Sequence, residues 1–197
     1  MKLVVALGNY GNEYKFTRHN VGFYLIDKFA ESKSLDFKKE KKYFFAKYKN
    51  LLMIKPTTYM NLSGQAVTSV KTKYGFDDIL VIVDDINLPL SVVRIRESGG
   101  DGGHNGLKSI SEALGSKNYK RIRIGVGKSD EERDLKDYVL SRFSVEELEK
   151  IDEIVPFINE ILELYATKDF KSILDYNSKN NPILKKNLES KDQRRVV

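Results

Sequence analysis

Only two histidines occur in the 197 residues, and both stand in polar, loop-like stretches. His19 lies in Thr17-Arg18-His19-Asn20 and His104 in Gly102-Gly103-His104-Asn105-Gly106. Imidazole is the side chain whose ordinary pKa suits proton transfer near neutrality. A carboxylate that accepts from one ring nitrogen leaves the other free to take a proton from water. Asp84 is the candidate partner for His19, because it ends the apolar run Ile79-Leu80-Val81-Ile82-Val83. Three asparagines, Asn9, Asn61 and Asn105, each fall in a separate polar segment. Singly, each suits a turn or a helix cap, and Asn105 could cap the helix that follows it. Together they offer uncharged donors and acceptors to a substrate rich in C=O and N–H groups, such as a peptide backbone. An amide donor can also stabilise an oxyanion.

Other chemistries fit less well. The chain has no cysteine, which removes disulfides, zinc fingers and thiol nucleophiles and suits a cytoplasmic protein. Two histidines without cysteine or a His-x-x-x-His spacing are a poor metal-ligand set. The glycines at Gly8 and Gly11, and those around His104, lack the Gly-x-Gly-x-x-Gly spacing of a dinucleotide site. Gly127-Lys128-Ser129 ends like a phosphate loop, yet the position that should hold the first glycine is Ile122. Ser63 and Thr17 are hydroxyls outside any Gly-x-Ser-x-Gly elbow. Water activated by His19 is the leading reading, with Ser63 or Thr17 as nucleophile the alternative.

The elements that must hold these residues alternate between strand and helix, which argues for an α/β domain. Leu3–Leu7 reads as a first strand and Val21–Ser32 as an amphipathic helix. Tyr43–Tyr48 and Leu51–Lys55 read as a hairpin turning at Lys49-Asn50, and Ser63–Tyr74 as a helix closed by Gly75. Ile79–Asp84 is continuously apolar until its end, as in a strand buried on both faces. Val92–Arg96 and Arg121–Val126 are further strands, with a helix over Leu107–Leu114 between them. Ser144-Val145-Glu146-Glu147 is a capping box, and Pro156 inside the following periodicity predicts two C-terminal helices. The loops bearing Asn9 and Asp84 thus leave strands at their carboxyl ends, where open α/β sheets place ligands.

Charge adds a partner class. The chain carries net +6, of which residues 179–197 carry +4 and residues 1–178 only +2. A basic excess suits a polyanionic partner. The apolar pattern fails beyond Asn177, so the expectation is one catalytic domain over 1–178 and a basic, mobile tail over 179–197. No stretch has the roughly 20 apolar residues of a membrane span, and the short N-terminal apolar run reads as a strand rather than a signal peptide.

Five segments, in order, resemble the bacterial-type peptidyl-tRNA hydrolase family. They are Gly8-Asn9-Tyr10-Gly11-Asn12-Glu13-Tyr14 with Thr17-Arg18-His19-Asn20, Pro56-Thr57-Thr58-Tyr59-Met60-Asn61-Leu62-Ser63-Gly64, Asp84-Asp85-Ile86-Asn87-Leu88-Pro89, Gly102-Gly103-His104-Asn105-Gly106-Leu107-Lys108, and Arg121-Ile122-Arg123-Ile124-Gly125-Val126-Gly127. The resemblance spans about residues 2–170. It implies a single-domain three-layer α/β/α sandwich around a mixed, mostly parallel sheet, monomeric, with no cofactor and no metal. The substrate it implies is peptidyl-tRNA, with no membrane and no obligate protein partner.

The resemblance implies His19 as the catalytic histidine, Asp84 as the aspartate that orients it, and Asn9 as the residue separating N-blocked from free aminoacyl groups. It puts Tyr14, Tyr59, Met60, Asn61, His104 and Asn105 against substrate, and Arg96 with Arg123 in a clamp for the tRNA 5′-phosphate. Two positions depart from the family pattern: Tyr10 stands where Pro is usual and Asn87 where Asp is common. The rival reading on the same fold is a non-catalytic RNA-binding protein, which loss of His19 would have favoured.

Overall fold

In the computed structural model, which describes residues 1–128 and 134–182, the apolar patterns settle into one seven-stranded sheet between two helical layers. The strands are β1 (Lys2–Ala6), β2 (Lys38–Lys39), β3 (Tyr43–Tyr48), β4 (Leu51–Pro56), β5 (Asp78–Asp85), β6 (Val93–Arg96) and β7 (Lys120–Gly125). The helices are α1 (Val21–Ser32), α2 (Ser63–Tyr74), α3 (Asn105–Leu114), α4 (Leu135–Leu140), α5 (Val145–Asp152), α6 (Val155–Thr167) and α7 (Phe170–Asn180). The strand order is β2-β3-β4-β1-β5-β7-β6. The four central strands, β4, β1, β5 and β7, run parallel, while β2, β3 and β6 pair antiparallel at the edges.

The period of two along each central strand divides the core. Val4, Ala6, Leu80, Ile82, Ile122 and Ile124 face one layer, built from α1, α5, α6 and α7. Leu3, Val5, Leu7, Val81 and Val83 face the other, built from α2 and α3. Both faces of β1 and β5 are covered, so these strands need no polar alternation. The chain therefore has the expected α/β/α sandwich.

Most boundaries fall where the residues placed them, and α1 and α2 match the expected ranges. Differences concentrate where elements are short or polar. The two-residue β2 and the six-residue α4 have too few residues to show a period. The segment after Ser144 forms three helices rather than two. Asp169 stops the second by capping a third, accepting from Ser172 N. Pro156 lies in the first turn of α6, where its missing N–H costs nothing. Asn105 is the first residue of α3 rather than its cap; His104 is the cap. The body also runs past residue 178: Asn181 is buried, and its amide donates to the Val93 carbonyl at 3.1 Å. The rest of the expected tail, 183–197, lies outside the described residues.

Candidate active site

The loops leaving β1 and β5 meet at the carboxyl end of the sheet, and His19 and Asp84 meet there. Gly22 makes this close approach possible. A Cβ at that position would lie 2.6 Å from the Leu7 carbonyl and 2.9 Å from the Ile82 carbonyl. Without a side chain, the first turn of α1 rests on the strand ends and holds His19 over Asp84. His19 Nδ1 sits 2.9 and 3.0 Å from the two carboxylate oxygens of Asp84, so Nδ1 carries the proton and donates. Nε2 is then the lone-pair nitrogen, with no protein partner among the described residues. The side chain keeps 12% exposure, enough to reach a substrate.

Electrostatics prepare the pair. Burial alone would lower the pKa of His19, but the charge and hydrogen bond of Asp84 outweigh it and raise it above 6.5. Burial would push Asp84 up, yet the two histidines hold its carboxyl well below the usual carboxylate range. The second histidine is His104, whose Nε2 lies 3.0 Å from Asp84 Oδ1. His104 Nδ1 accepts from Gly106 N at 3.1 Å and Leu107 N at 3.3 Å. The His104 proton is therefore on Nε2, and both ring nitrogens are used by the protein. A direct substrate contact through those nitrogens, as expected for His104, is not what the geometry provides: the ring joins the cap of α3 to the buried carboxylate.

The ligand atoms of His19, Asp84 and His104 lie within 4.8 Å of one another, so the trio was a candidate cation site. Its N···O separations are those of N–H···O hydrogen bonds, and one proton on each ring satisfies them. The donor set fits two protons better than a metal ion.

Asn9 is held by its neighbour in the histidine motif. Asn20 Oδ1 accepts from Asn9 N at 2.8 Å, and Asn20 Nδ2 donates to Asn9 O at 2.9 Å. The Asn9 side-chain carbonyl accepts from Met60 N at 3.1 Å. Its amide nitrogen thus has no protein partner among the described residues and remains a donor. Met60 is buried, and Gly106 lies so close that a Cβ there would fall 2.7 Å from the Met60 sulfur. Met60 is accordingly a joint between two loops more than an exposed lining residue. Asn61 and Asn105 are exposed on either side of this joint, and Tyr59 is 74% exposed beside them. Tyr14 is half-buried in the first loop, where its carbonyl accepts from Thr17.

Two positioning residues escaped the sequence reading. Asn20 is one. Arg18 is the other: it is buried, donates to both Glu147 oxygens at 2.9 Å and to the Val126 carbonyl at 3.0 Å, and packs against the Tyr138 and Phe143 rings. Glu147 also completes the capping box of α5, so the His19 loop is tied to the C-terminal helices. Adjacency to His19 was the available signal, but a partner 129 residues away left no local trace.

The expected arginine pair is only partly as foreseen. Arg96 pairs in register with Arg121, and Arg94 with Arg123, so all four share one face of the β6–β7 edge. Arg121 is fully buried against Tyr119 and donates to the Tyr119, Lys117 and Gly100 carbonyls. Arg123 donates to Asp85 Oδ2 at 3.2 Å and to the Gly100 carbonyl at 2.8 Å. It is not a free clamp arm, because Asp85 and the loop before His104 take part of its guanidinium. Arg94 and Arg96 are exposed, with no hydrogen-bond partner among the described residues.

Comparisons with known proteins bear on the family and the fold. A family model described as peptidyl-tRNA hydrolase matches residues 3–186. A peptidyl-tRNA hydrolase of Rickettsia canadensis is 46% identical over 83% of this chain and 94% of its own length. One of Thermotoga petrophila is 46% identical over 89% and 97%. The crystal structure of peptidyl-tRNA hydrolase from Acinetobacter baumannii superposes with a TM-score of 0.84 at 27% identity, covering 92% of this chain and 96% of that one. With a match across nearly the whole described body, and relatives well above 40% identity, the chain belongs to the peptidyl-tRNA hydrolase family.

Proposed function

We propose that the protein hydrolyses the ester between a peptide, or an N-blocked aminoacyl group, and the 3′ ribose of tRNA, using water activated by His19. The observation that carries this reading is the arrangement of unspent atoms. Within the His19–Asp84–Asn9 set, the groups left over are one basic nitrogen on His19 and the amide NH2 of Asn9. A base for water beside a donor for an oxyanion is what ester hydrolysis needs.

Water gives a proton to His19 Nε2 as its oxygen attacks the ester carbonyl, and Asp84 stabilises the imidazolium. The Asn9 amide, or that of Asn61, donates to the oxyanion. Collapse of the tetrahedral intermediate breaks the bond to the ribose 3′ oxygen, which takes its proton from the imidazolium. No metal or cofactor enters a step. Asn9 also reads the acyl group: a blocked α-nitrogen presents an amide, whereas a free one presents an ammonium ill-suited to a fixed N–H donor. Tyr14, Tyr59 and Asn105 border the substrate, and exposed Arg96 grips a phosphate of the tRNA, helped by Arg94 and the remaining donors of Arg123. Among the described residues no helix is long and apolar enough to cross a membrane. We read the protein as a cytoplasmic monomer without an obligate protein partner.

The test is hydrolysis of N-acetyl-aminoacyl-tRNA, with and without a chelator, by wild type and His19→Ala. Turnover indifferent to chelator is expected, with at least about 10² lost from kcat on substitution and tRNA binding retained. A His19→Ala enzyme with wild-type turnover would overturn the mechanism.

A further inference from the structure

The basic excess of the body is concentrated on one edge of the sheet. Residues 38–49, from β2 to the β3–β4 turn, carry six lysines against one glutamate, a net +5. Since residues 1–178 carry only +2, the remainder of that span is net −3. Lys38, Lys39, Lys41 and Lys47 are exposed and Lys42 is half-buried, and none of the five has a carboxylate partner among the described residues. The neutralised groups are Lys49, paired with Glu163, and Glu40, paired with Lys73 of α2. We propose that this lysine edge is a second RNA-binding surface, which holds an RNA other than the substrate's acceptor arm by its phosphate backbone.

Blunting a free strand against unwanted pairing is the ordinary reason for edge lysines. It accounts for Lys38 and Lys39, the two residues of β2, which ends the strand order. Lys41, Lys42 and Lys47 lie outside β2 and are left over. Lys42 is held by its backbone, whose carbonyl accepts from Thr57 N at 2.9 Å. Lys47 lies 5.2 Å over the Tyr74 ring, where α2 adds Lys71 and Lys73 in its last turn. Lys39 lies 5.8 Å over the ring of Tyr10, which is 51% exposed. The six residues of β3 extend about 20 Å, a length over which a nucleic-acid duplex presents several phosphates.

Topology separates this edge from the substrate's path. β2 and β6 close opposite ends of the seven-stranded sheet, about 30 Å apart at roughly 4.8 Å per strand. Twist of about 20–25° per strand turns the two edges away from each other. An acceptor stem gripped at Arg94 and Arg96 and ending over His19 therefore leaves the lysines unoccupied. Phosphates fit them, because closely spaced ammonium groups release counterions from a polyanion and need no base sequence to do so. A lipid surface fits less well. Interfacial anchors set large apolar side chains among the basic ones, and no large apolar side chain between Lys38 and Lys49 is exposed.

The probe is a short closed RNA dumbbell, with neither a 5′-phosphate nor a free 3′ end. Its affinity is read by fluorescence anisotropy across a salt series. The proteins compared are wild type, Lys38→Gln/Lys39→Gln/Lys41→Gln/Lys42→Gln, and Arg94→Ala/Arg96→Ala. Expected for the lysine variant is binding at least about 10-fold weaker, with a log K–log[salt] slope smaller in magnitude by roughly 3. The arginine variant should bind the dumbbell within about twofold of wild type. Hydrolysis of N-acetyl-aminoacyl-tRNA by the lysine variant should match wild type, and saturating dumbbell should leave its KM within about twofold. No binding by wild type, equal losses in both variants, or competition with the tRNA substrate would overturn the second surface. Vesicles rich in phosphatidylglycerol that bind through these lysines, where the dumbbell does not, would overturn it in favour of lipid. A further measurement does not depend on variants: bound dumbbell should protect Lys38, Lys39, Lys41 and Lys42 of wild type from acetylation. Protection confined to Lys108 and Lys117, beside the loop before His104, would overturn the proposal. The dumbbell measurements need no turnover, so they stand or fall apart from the hydrolase reading.

Discussion

The His19–Asp84 centre and the β6–β7 arginine edge are built from similar charged side chains but use them differently. At the centre, Asp84 is buried and takes N–H donors from two histidines, so almost every polar atom is spent. At the edge, Arg121 and Arg123 are spent on carbonyls and Asp85, while Arg94 and Arg96 stand open to solvent. The difference follows from what each region must do. Proton transfer needs one atom fixed in place with its charge balanced in advance, which demands burial. A phosphate arriving from solution needs accessible positive charge that keeps its donors until contact. The inner arginines are engaged by the fold; the outer ones are open, and on the proposed reading they are the first to meet the phosphate.

The sharpest way to break this comparison is at the centre. Asp84→Asn removes the charge that favours imidazolium and lets His19 adopt the other tautomer, with Nε2 protonated. Loss of at least about 10² in kcat is expected. For the wild-type enzyme, activity should rise as pH climbs through the raised pKa of His19, above 6.5, because only the unprotonated ring accepts a proton. In Asp84→Asn that rising limb should move to lower pH. A limb left in place would show that Asp84 does not govern the base.

The edge gives the next effect, and its two layers should separate. Arg123→Ala strips a partner from buried Asp85 and releases the loop before His104. It should slow a minimal aminoacyl-ester mimic as well as full-length tRNA substrate, and cost about 1–3 kcal/mol in a denaturation measurement. Arg96→Ala should raise KM only for the full-length substrate and lower the magnitude of its log K–log[salt] slope by up to about 1. If the two variants behaved alike on both substrates, the division into supporting and receiving arginines would fall.

The smallest effect sharpens the role of His104. Asn can still cap α3 but is too short to reach Asp84, so His104→Asn separates the two jobs. With one donor gone, the Asp84 charge acts more fully on His19, and the rising limb should shift toward higher pH. A limb that stayed fixed or moved down would leave His104 as a helix cap alone.

Much of this was legible in the residues themselves. The continuous apolar run at Ile79–Val83, the matched ends of α1 and α2, and the capping box at Ser144 are local signals carried by neighbours in the chain. The pairing of His19 with Asp84 is an expectation from strand ends, and in the fold the two side chains lie 2.9 Å apart. Short elements such as β2 and α4 were not legible, because two or six residues cannot establish a period.

What tertiary structure alone decided is how each polar group spends its bonds. Arg121 and Arg123 read like Arg94 and Arg96 in sequence, yet only packing against Tyr119, Asp85 and the Gly100 loop consumes the first two. The two histidines likewise read alike. Fold geometry turns one into the partner with a free nitrogen and the other into a cap whose nitrogens are both occupied. The sequence by itself determined which of the longer segments become strands and helices, and which side chains could do proton chemistry, because propensity and pKa belong to residues and near neighbours. It did not determine which donors remain free, since hydrogen-bond saturation depends on distant partners, 129 residues away for Arg18 and Glu147, and on the burial that folding creates.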